Sequence, residues 1–583
     1  MDPSLKRANM RSQELQHQPH RIGDFGRSYG LYYAGFLLVL LLLYSSAIIA
    51  HFGYHDDFYY FTLDDHRSFR SHPQFEVVMV IGRELYAVLA APMAWFVRGI
   101  ADFSLVRVVY VAFLAVAALL LVRMLVRLGM ERWCALCLAL AICLLPGCEM
   151  GVLWVSMAPF IGAMILSLLA AALAVAAEVD NLFDARRQAP ALAGVGAAIL
   201  CLLAALFTYP PWAMFFLVPV FAYVLLETPR GVKYIFGKLV VSGFVFLCAT
   251  VLYFSLQKVV FEPVFRRMIS YAVLEQSPYK FAISADIPAK TSEFVEALTE
   301  SLNLWNIYPS QVVAGLVAIV IFLGALASLR LLRAGMSIGE WMLRAVTLLL
   351  LLPAALLPNL AAAANSTPYR VMVPLAAMLT IAAYASINFG VMRLPLGETA
   401  RSRLRVGAVA ILTLTAAGVA FFNVAMSSTN SALEFRLLQS FISEHVARGE
   451  TLNRVHVVLL NQSESLLGLP SRYDEFNCNT LSAWQDVPWM LRAALLELGV
   501  PRAIAHVYAI ALDDTGPIPA EARLVVTTAA AGDEYRPPQG TIVFDFNEFA
   551  KPSPATVTEH CCNFKAREME NVHSVAPGSN RSD

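Results

Sequence analysis

The sequence predicts an all-α polytopic membrane protein of about eleven transmembrane helices, followed by a small C-terminal α/β unit. Three observations carry this. The 583 residues are 58% apolar and 15% charged, with a mean hydropathy of +0.61, whereas soluble chains run about 45–50% apolar and about 25% charged. Apolar runs long enough to cross a hydrocarbon core of about 30 Å recur along the chain. Past residue 426 the pattern changes to short apolar runs between helical segments. The 43 basic and 43 acidic residues balance, so no net field points to nucleic acid or another polyanion.

The runs fall near 31–50, 104–125, 134–150, 158–177, 190–208, 212–227, 236–256, 311–329, 341–358, 370–389 and 405–425. The first follows a polar tail, 1–30, which holds Lys6, Arg7, Arg11, Arg21 and Arg27. That tail lacks the form of a cleavable signal peptide, so the first helix is expected to be retained. With the N-terminus inside, alternate connections hold Arg123, Arg127 and Arg132, then Arg186 and Arg187, then Arg230, Lys233 and Lys238. They continue with Arg330, Arg333 and Arg344, then Arg393, Arg401, Arg403 and Arg405. The short connections between them, near 148–157 and 208–212, hold no Lys or Arg, as the positive-inside rule requires. This parity needs 84–100 not to span. The stretch begins with Glu84, contains Pro92 and ends near Arg98, so it reads as an interfacial or re-entrant helix.

Three pieces then lie outside the cytoplasm: 51–103, 257–310 and everything after about 426. In the last, strands are expected at 454–460, 504–512, 523–528 and 541–546, and helices at 432–448 and 483–499. Strands alternating with helices suggest a compact α/β unit over 426–550. The polar tail 551–583 is expected to be disordered. No phosphate loop, GxSxG, HExxH or long repeat occurs, so an ATP-driven pump is not expected. Cys134 and Cys137 form a CxxC inside an apolar run, where packing is the expected role. Cys478 and His560-Cys561-Cys562 give no closed tetrahedral metal set.

The chemistry concentrates in 51–85, which holds Asp56, Asp57, Asp64, Asp65, Glu76, Arg67, Arg70, Arg83 and four of the eleven histidines. The bland reading is a polar outer loop. Against it, the aspartate pairs follow a membrane helix by a few residues and are interleaved with Phe58, Tyr59, Tyr60 and Phe61. They should sit at headgroup depth, where a carboxylate needs a partner or a task. The arginines nearby are suited to phosphate. An acid, aromatics and arginines at an interface suit a sugar carried on a lipid phosphate. A carboxylate would deprotonate an incoming hydroxyl while a cation stabilises the departing phosphate.

These residues also carry a resemblance. A first helix, an outer loop with an acidic pair, an interfacial helix and many spans resemble the GT-C class of membrane glycosyltransferases. Asp64-Asp65-x-Arg67-Ser68, Gly82-Arg83-x-Leu85, Tyr209 in FTYPPWAMFF and Arg370 in PYRVMVPLAAM are similar to bacterial O-antigen-modifying glucosyltransferases that use polyprenyl-phosphate sugars. The similarity covers roughly 31–425. It implies a catalytic first-loop aspartate, from Asp56 or Asp57 or from Asp64 or Asp65, with the doubled pair leaving the choice open. It implies substrate contacts at Arg67, Arg83, Tyr209 and Arg370. A divalent cation is compatible with it, but no metal ligands are assigned.

Each position has a plainer role to be weighed. The aspartates can cap a helix or turn, and Arg83 can pair with Glu84 or Glu76. Arg370 can snorkel to headgroups, and Tyr209 can simply mark a helix break before two prolines. The expected function is an inner-membrane glycosyltransferase on the periplasmic face, moving a sugar from a polyprenyl phosphate to a cell-envelope glycan. The alternative is a transporter or flippase of lipid-linked glycans, which would need ionisable groups inside the spans. A scaffold whose C-terminal unit binds a partner is a third.

Overall fold

A computed structural model describes residues 22–54, 57–58, 82–177, 188–261, 263–264, 290–292, 294–295, 317, 319–321, 323–325, 327–329, 336–360, 369–448, 454–458, 464–467, 487–499, 507–511, 524–529, 541–549 and 551–552. Asp56, Asp64, Asp65 and Arg67 lie outside the described residues, as do most of 257–310 and the tail from 553.

The protein is mostly helical. The first apolar run forms α1 (Ile22–Leu43) and a short α2 (Ser45–Ile49), broken at Tyr44. Next comes α3 (Glu84–Phe96), whose 13 residues span about 20 Å and cannot cross a core of about 30 Å. Its Val88, Leu89 and Phe96 are exposed. An extended Val97 and a 3-10 turn at Ile100–Asp102 separate it from α4 (Phe103–Arg127).

Helices α5 (Arg132–Cys143) and α6 (Pro146–Leu153) are bent by 56° at the break before Pro146. They are followed by α7 (Phe160–Ala176), α8 (Gln188–Thr208), α9 (Pro210–Ala213), α10 (Leu217–Leu226) and α11 (Val232–Leu256). The bundle closes with α12 (Ile338–Ala354), α13 (Tyr369–Met392) and α14 (Glu398–Ala447).

Six helices among the described residues are long and apolar enough to cross a membrane, or seven if the bent α5–α6 pair is one span. The difference from about eleven has physical causes. The first run is interrupted at Tyr44, 212–227 is divided by a 3-10 turn at Met214–Phe216, and α12 stops at 17 residues. The run 311–329 falls largely outside the described residues.

Contacts sort the helix ends onto two faces. On one, Arg405 pairs with Glu131 at 2.8 Å, Arg344 donates to the carbonyls of Val224 and Glu227, and Lys238 Nζ donates to those of Val175 and Ala177. On the other, Asp57 meets Ser156, Tyr86 meets Ser156, Trp212 meets Arg370, and Gln257 meets Glu84. The described parts of 51–103, 148–157, 208–212 and 257–261 meet on this second face.

Helix α14 is 50 residues long, about 75 Å by its rise, and continues without a break through 425–426. The Ser/Asn-rich turn of sequence at 427–431 looks like a linker, but Ser427, Ser428, Asn430 and Ser431 are buried against the bundle, which keeps the helix going. Beyond it lie β1 (Arg454–Val458), β2 (Glu464–Ser465), α15 (Val487–Glu497), β3 (Val507–Ala511), β4 (Leu524–Ala529), β5 (Ile542–Asp545) and β6 (Lys551–Pro552). Strands β3, β4, β1 and β5 form a parallel sheet in that order, and β2 pairs antiparallel with β6. The unit touches the second face: Glu497 accepts from the Ile100 N–H at 2.8 Å, and Phe441 of α14 lies 4.2 Å from Phe544.

One close approach sets where α13 begins. A Cβ on Gly147 would lie 2.6 Å from the Tyr369 carbonyl and 2.0 Å from Val373 Cγ2. Overpacking of this kind typically costs about 1–3 kcal/mol. Gly147→Val should therefore lower the thermal unfolding midpoint in detergent, and a midpoint equal to wild type would show that α6 and α13 are not packed this tightly.

Candidate functional site

On the second face, four of the eight residues singled out from sequence come together: Asp57, Arg83, Tyr209 and Arg370. Local backbone chemistry explains their positions. Tyr209 precedes Pro210, so it must be extended; its φ of −161 and ψ of 104 break α8 from α9 and turn its ring away from the helix axis. The ring stacks on Phe160 at 3.7 Å between centroids with the planes 1° apart. It marks a helix break, as the two prolines suggested, and it also forms the floor of the site.

Arg83 lies over that floor, its guanidinium 4.7 Å from the Tyr209 centroid and 5.9 Å from that of Phe160. A cation so placed gains about 0.5–2 kcal/mol from the ring quadrupole. Its neighbours are held by α11 and the residue after it: the Tyr253 hydroxyl donates to the Gly82 carbonyl at 3.0 Å, and Gln257 donates to Glu84 at 2.6 Å. Gly82 has φ +79, and a Cβ there would lie 2.5 Å from the Tyr253 hydroxyl. Only glycine meets both demands. Arg370, at the start of α13, lies 5.0 Å over the Trp154 ring. Its carbonyl accepts from Trp212 Nε1 at 2.6 Å, and Trp212 packs on Phe160 with centroids 6.1 Å apart. The two arginines thus flank one aromatic cluster.

Asp57 has a different character. It is 1% exposed, and three backbone N–H groups donate to it: Tyr54 at 3.1 Å and Val155 at 3.0 Å to Oδ2, Ser156 at 2.8 Å to Oδ1. Burial raises its carboxyl to about 7, against the pull of Arg107 and these three donors. A carboxylate engaged in this way ties the end of α2 to the turn after α6. It is an anchor, the helix-cap and turn role weighed against catalysis.

Arg107 completes the tie. The side chain is 1% exposed and donates to the carbonyls of Phe52 at 2.8 Å, Val152 at 3.0 Å and Leu153 at 3.2 Å, while stacking 3.9 Å over Phe52. The same two chain segments therefore offer their N–H groups to Asp57 and their carbonyls to Arg107. Sequence reasoning missed Arg107, Trp154, Ser156 and Phe160. The available signal was a lone arginine in the first turns of the run 104–125.

Among the described residues no group of three His, Cys, Asp or Glu could hold a metal ion, and Cys134 and Cys137 are free thiols. No family model matches the sequence, and no curated protein matches it.

Proposed function

We propose that this protein is a glycosyltransferase of the bacterial inner membrane. In this reading it moves a sugar from a polyprenyl-phosphate donor to an envelope glycan on the periplasmic face. The observation that carries the reading is the pair of arginines, Arg83 on Tyr209 and Arg370 on Trp154, around one aromatic floor at the face away from the arginine-rich helix ends. Guanidinium groups suit an anionic phosphate, and aromatic faces suit both a lipid chain and the apolar side of a sugar. The positive-inside rule makes the Arg123–Arg132 and Arg393–Arg405 side cytoplasmic, which orients the floor and the C-terminal α/β unit outward.

In the reaction, the acceptor hydroxyl oxygen attacks the anomeric carbon as the carbon–oxygen bond to phosphate breaks. Arg83 and Arg370 stabilise the charge gathering on the phosphate. With Asp57 engaged as an anchor, the base that receives the acceptor proton is assigned to Asp56, Asp64 or Asp65, and Arg67 belongs to the same loop. The resemblance to GT-C enzymes supports this reading, and a divalent cation is left open by it.

The flippase alternative draws less support. Two of the buried ionic sites in the bundle are satisfied locally. Arg344 and Glu340 pair at 2.8 Å, and Lys238 caps the carbonyl end of α7. No relay through the spans is needed to explain them.

Single Asp56→Asn, Asp64→Asn and Asp65→Asn substitutions are expected to leave protein level unchanged, and at least one should abolish the mass added to surface polysaccharide. Three variants with wild-type glycan would remove the proposed base and the reading with it.

A further inference from the structure

The leaving phosphate gains from a proton as well as from fixed positive charge, and the residue after Arg83 is a carboxylic acid. Glu84 opens α3, is 6% exposed, and accepts from Gln257 Nε2 through Oε1. Its Oε2 is buried with no hydrogen-bond partner. An ionised carboxylate with one oxygen left bare in a low-dielectric setting is costly. The protonated acid is populated near neutrality, and in that form its O–H lacks an acceptor until something brings one. Burial accordingly raises the carboxyl to about 7. Among the described residues, the titratable and charged groups near it are Arg83, its chain neighbour, and Tyr253 on α11; the Tyr253 hydroxyl is turned to the Gly82 carbonyl, and Gln257 is neutral.

We propose that Glu84 is a catalytic acid, its carboxyl O–H donating to an oxygen of a lipid-linked phosphate seated on Arg83. The proposal rests on the glycosyl-transfer reading above. The acceptor oxygen forms the new bond to the anomeric carbon, and the bond to phosphate breaks with its electron pair passing to the phosphate oxygen. The acceptor proton goes to a first-loop carboxylate, and the Glu84 proton goes to the phosphate. The lipid phosphate leaves protonated. Glu84 then takes a proton from solvent as the first-loop acid releases one, so each turnover balances.

Full-length protein in lipid nanodiscs containing undecaprenyl phosphate tests this, with binding followed through tryptophan fluorescence from about pH 5.5 to about pH 8.5. Binding that requires the protonated acid should weaken about tenfold per unit above about pH 7. Phosphate has its own ionisation in this range, so the decisive quantity is the difference between variants. Glu84→Gln, neutral throughout and still a donor, should lack the Glu84 part of the step. Arg83→Gln should bind more weakly at every pH and keep the step. Gln257→Leu, which removes a donor that lowers the Glu84 carboxyl, should move the step to higher pH.

Equal pH profiles for wild type and Glu84→Gln, or an unmoved step in Gln257→Leu, would overturn the role of Glu84 and leave the transfer reading standing. Displacement of the lipid by an equal concentration of inorganic phosphate would overturn the assignment to a lipid-linked phosphate. Undecaprenyl phosphate binding no better than uncharged undecaprenol in any variant would overturn the transfer reading itself.

Discussion

Asp57→Asn is expected to cost the protein its folded state in preference to its chemistry. An amide keeps the shape of the carboxyl but replaces one acceptor oxygen with an N–H₂ donor. Whichever way it turns, that donor faces either the Ser156 N–H or the Tyr54 and Val155 N–H groups, now 2.8 to 3.1 Å from the carboxylate oxygens. At least one bond is lost and two donors oppose each other. The substitution also removes the negative charge that acts on buried Arg107.

Leaving buried donors unsatisfied typically costs about 1–3 kcal/mol each, a large share of the roughly 5–15 kcal/mol that holds a protein together. The folded fraction, read as the monodisperse peak in detergent size-exclusion and as the unfolding midpoint, should fall sharply. Arg107→Met should do the same. The double variant should lose less than the sum, because each single change strands the other charge. An Asp57→Asn protein at wild-type level and midpoint that no longer modifies glycan would reverse the assignment and make Asp57 the base.

The membrane class was legible in the sequence because it follows from a bulk property, apolar length. The non-spanning nature of 84–96 could be read from Glu84, Pro92 and a run too short to cross, and α3 has that length. The strands at 454–458, 507–511, 524–529 and 542–545 lie where short apolar runs placed them.

What could not be read depends on contacts between distant segments. Asp57 looks like any acidic loop residue until Val155 and Ser156, 98 and 99 positions away, arrive to donate to it. Arg107 looks like a charge at a helix end until its carbonyl partners at 52, 152 and 153 are in place. Tyr209 was legible as a break because Pro210 acts on its own neighbour, but its stacking on Phe160 is a tertiary fact. The unbroken course of α14 through 427–431 is another. Serine and asparagine disfavour helix interiors on their own, and burial against the bundle overrides that preference.

A large functional effect is also expected at Arg83. If it holds the departing phosphate, Arg83→Ala removes a preorganised donor aimed at charge that develops in the transition state, and losses of this kind run roughly 10²–10³-fold in turnover. Arg83→Lys should recover only part of that. An ammonium keeps the charge, but it cannot lie flat on Tyr209 or present two parallel N–H groups to one phosphate.

Tyr209→Leu separates seat from charge. It leaves the guanidinium present and removes the ring 4.7 Å beneath it, worth about 0.5–2 kcal/mol, so its effect should be smaller than that of Arg83→Ala. Arg370→Ala tests the other side of the floor. An arginine that merely reaches toward headgroups would leave sugar transfer to glycan nearly unchanged, whereas one that shares the phosphate would lower it by an amount that overlaps with the Arg83 loss. Combined in one protein, two arginines on a common phosphate give a deficit that departs from the product of the singles, as coupled sites do. A strictly multiplicative result would place the phosphate on Arg83 alone. An Arg83→Ala protein with undiminished transfer would leave the aromatic floor without its anion.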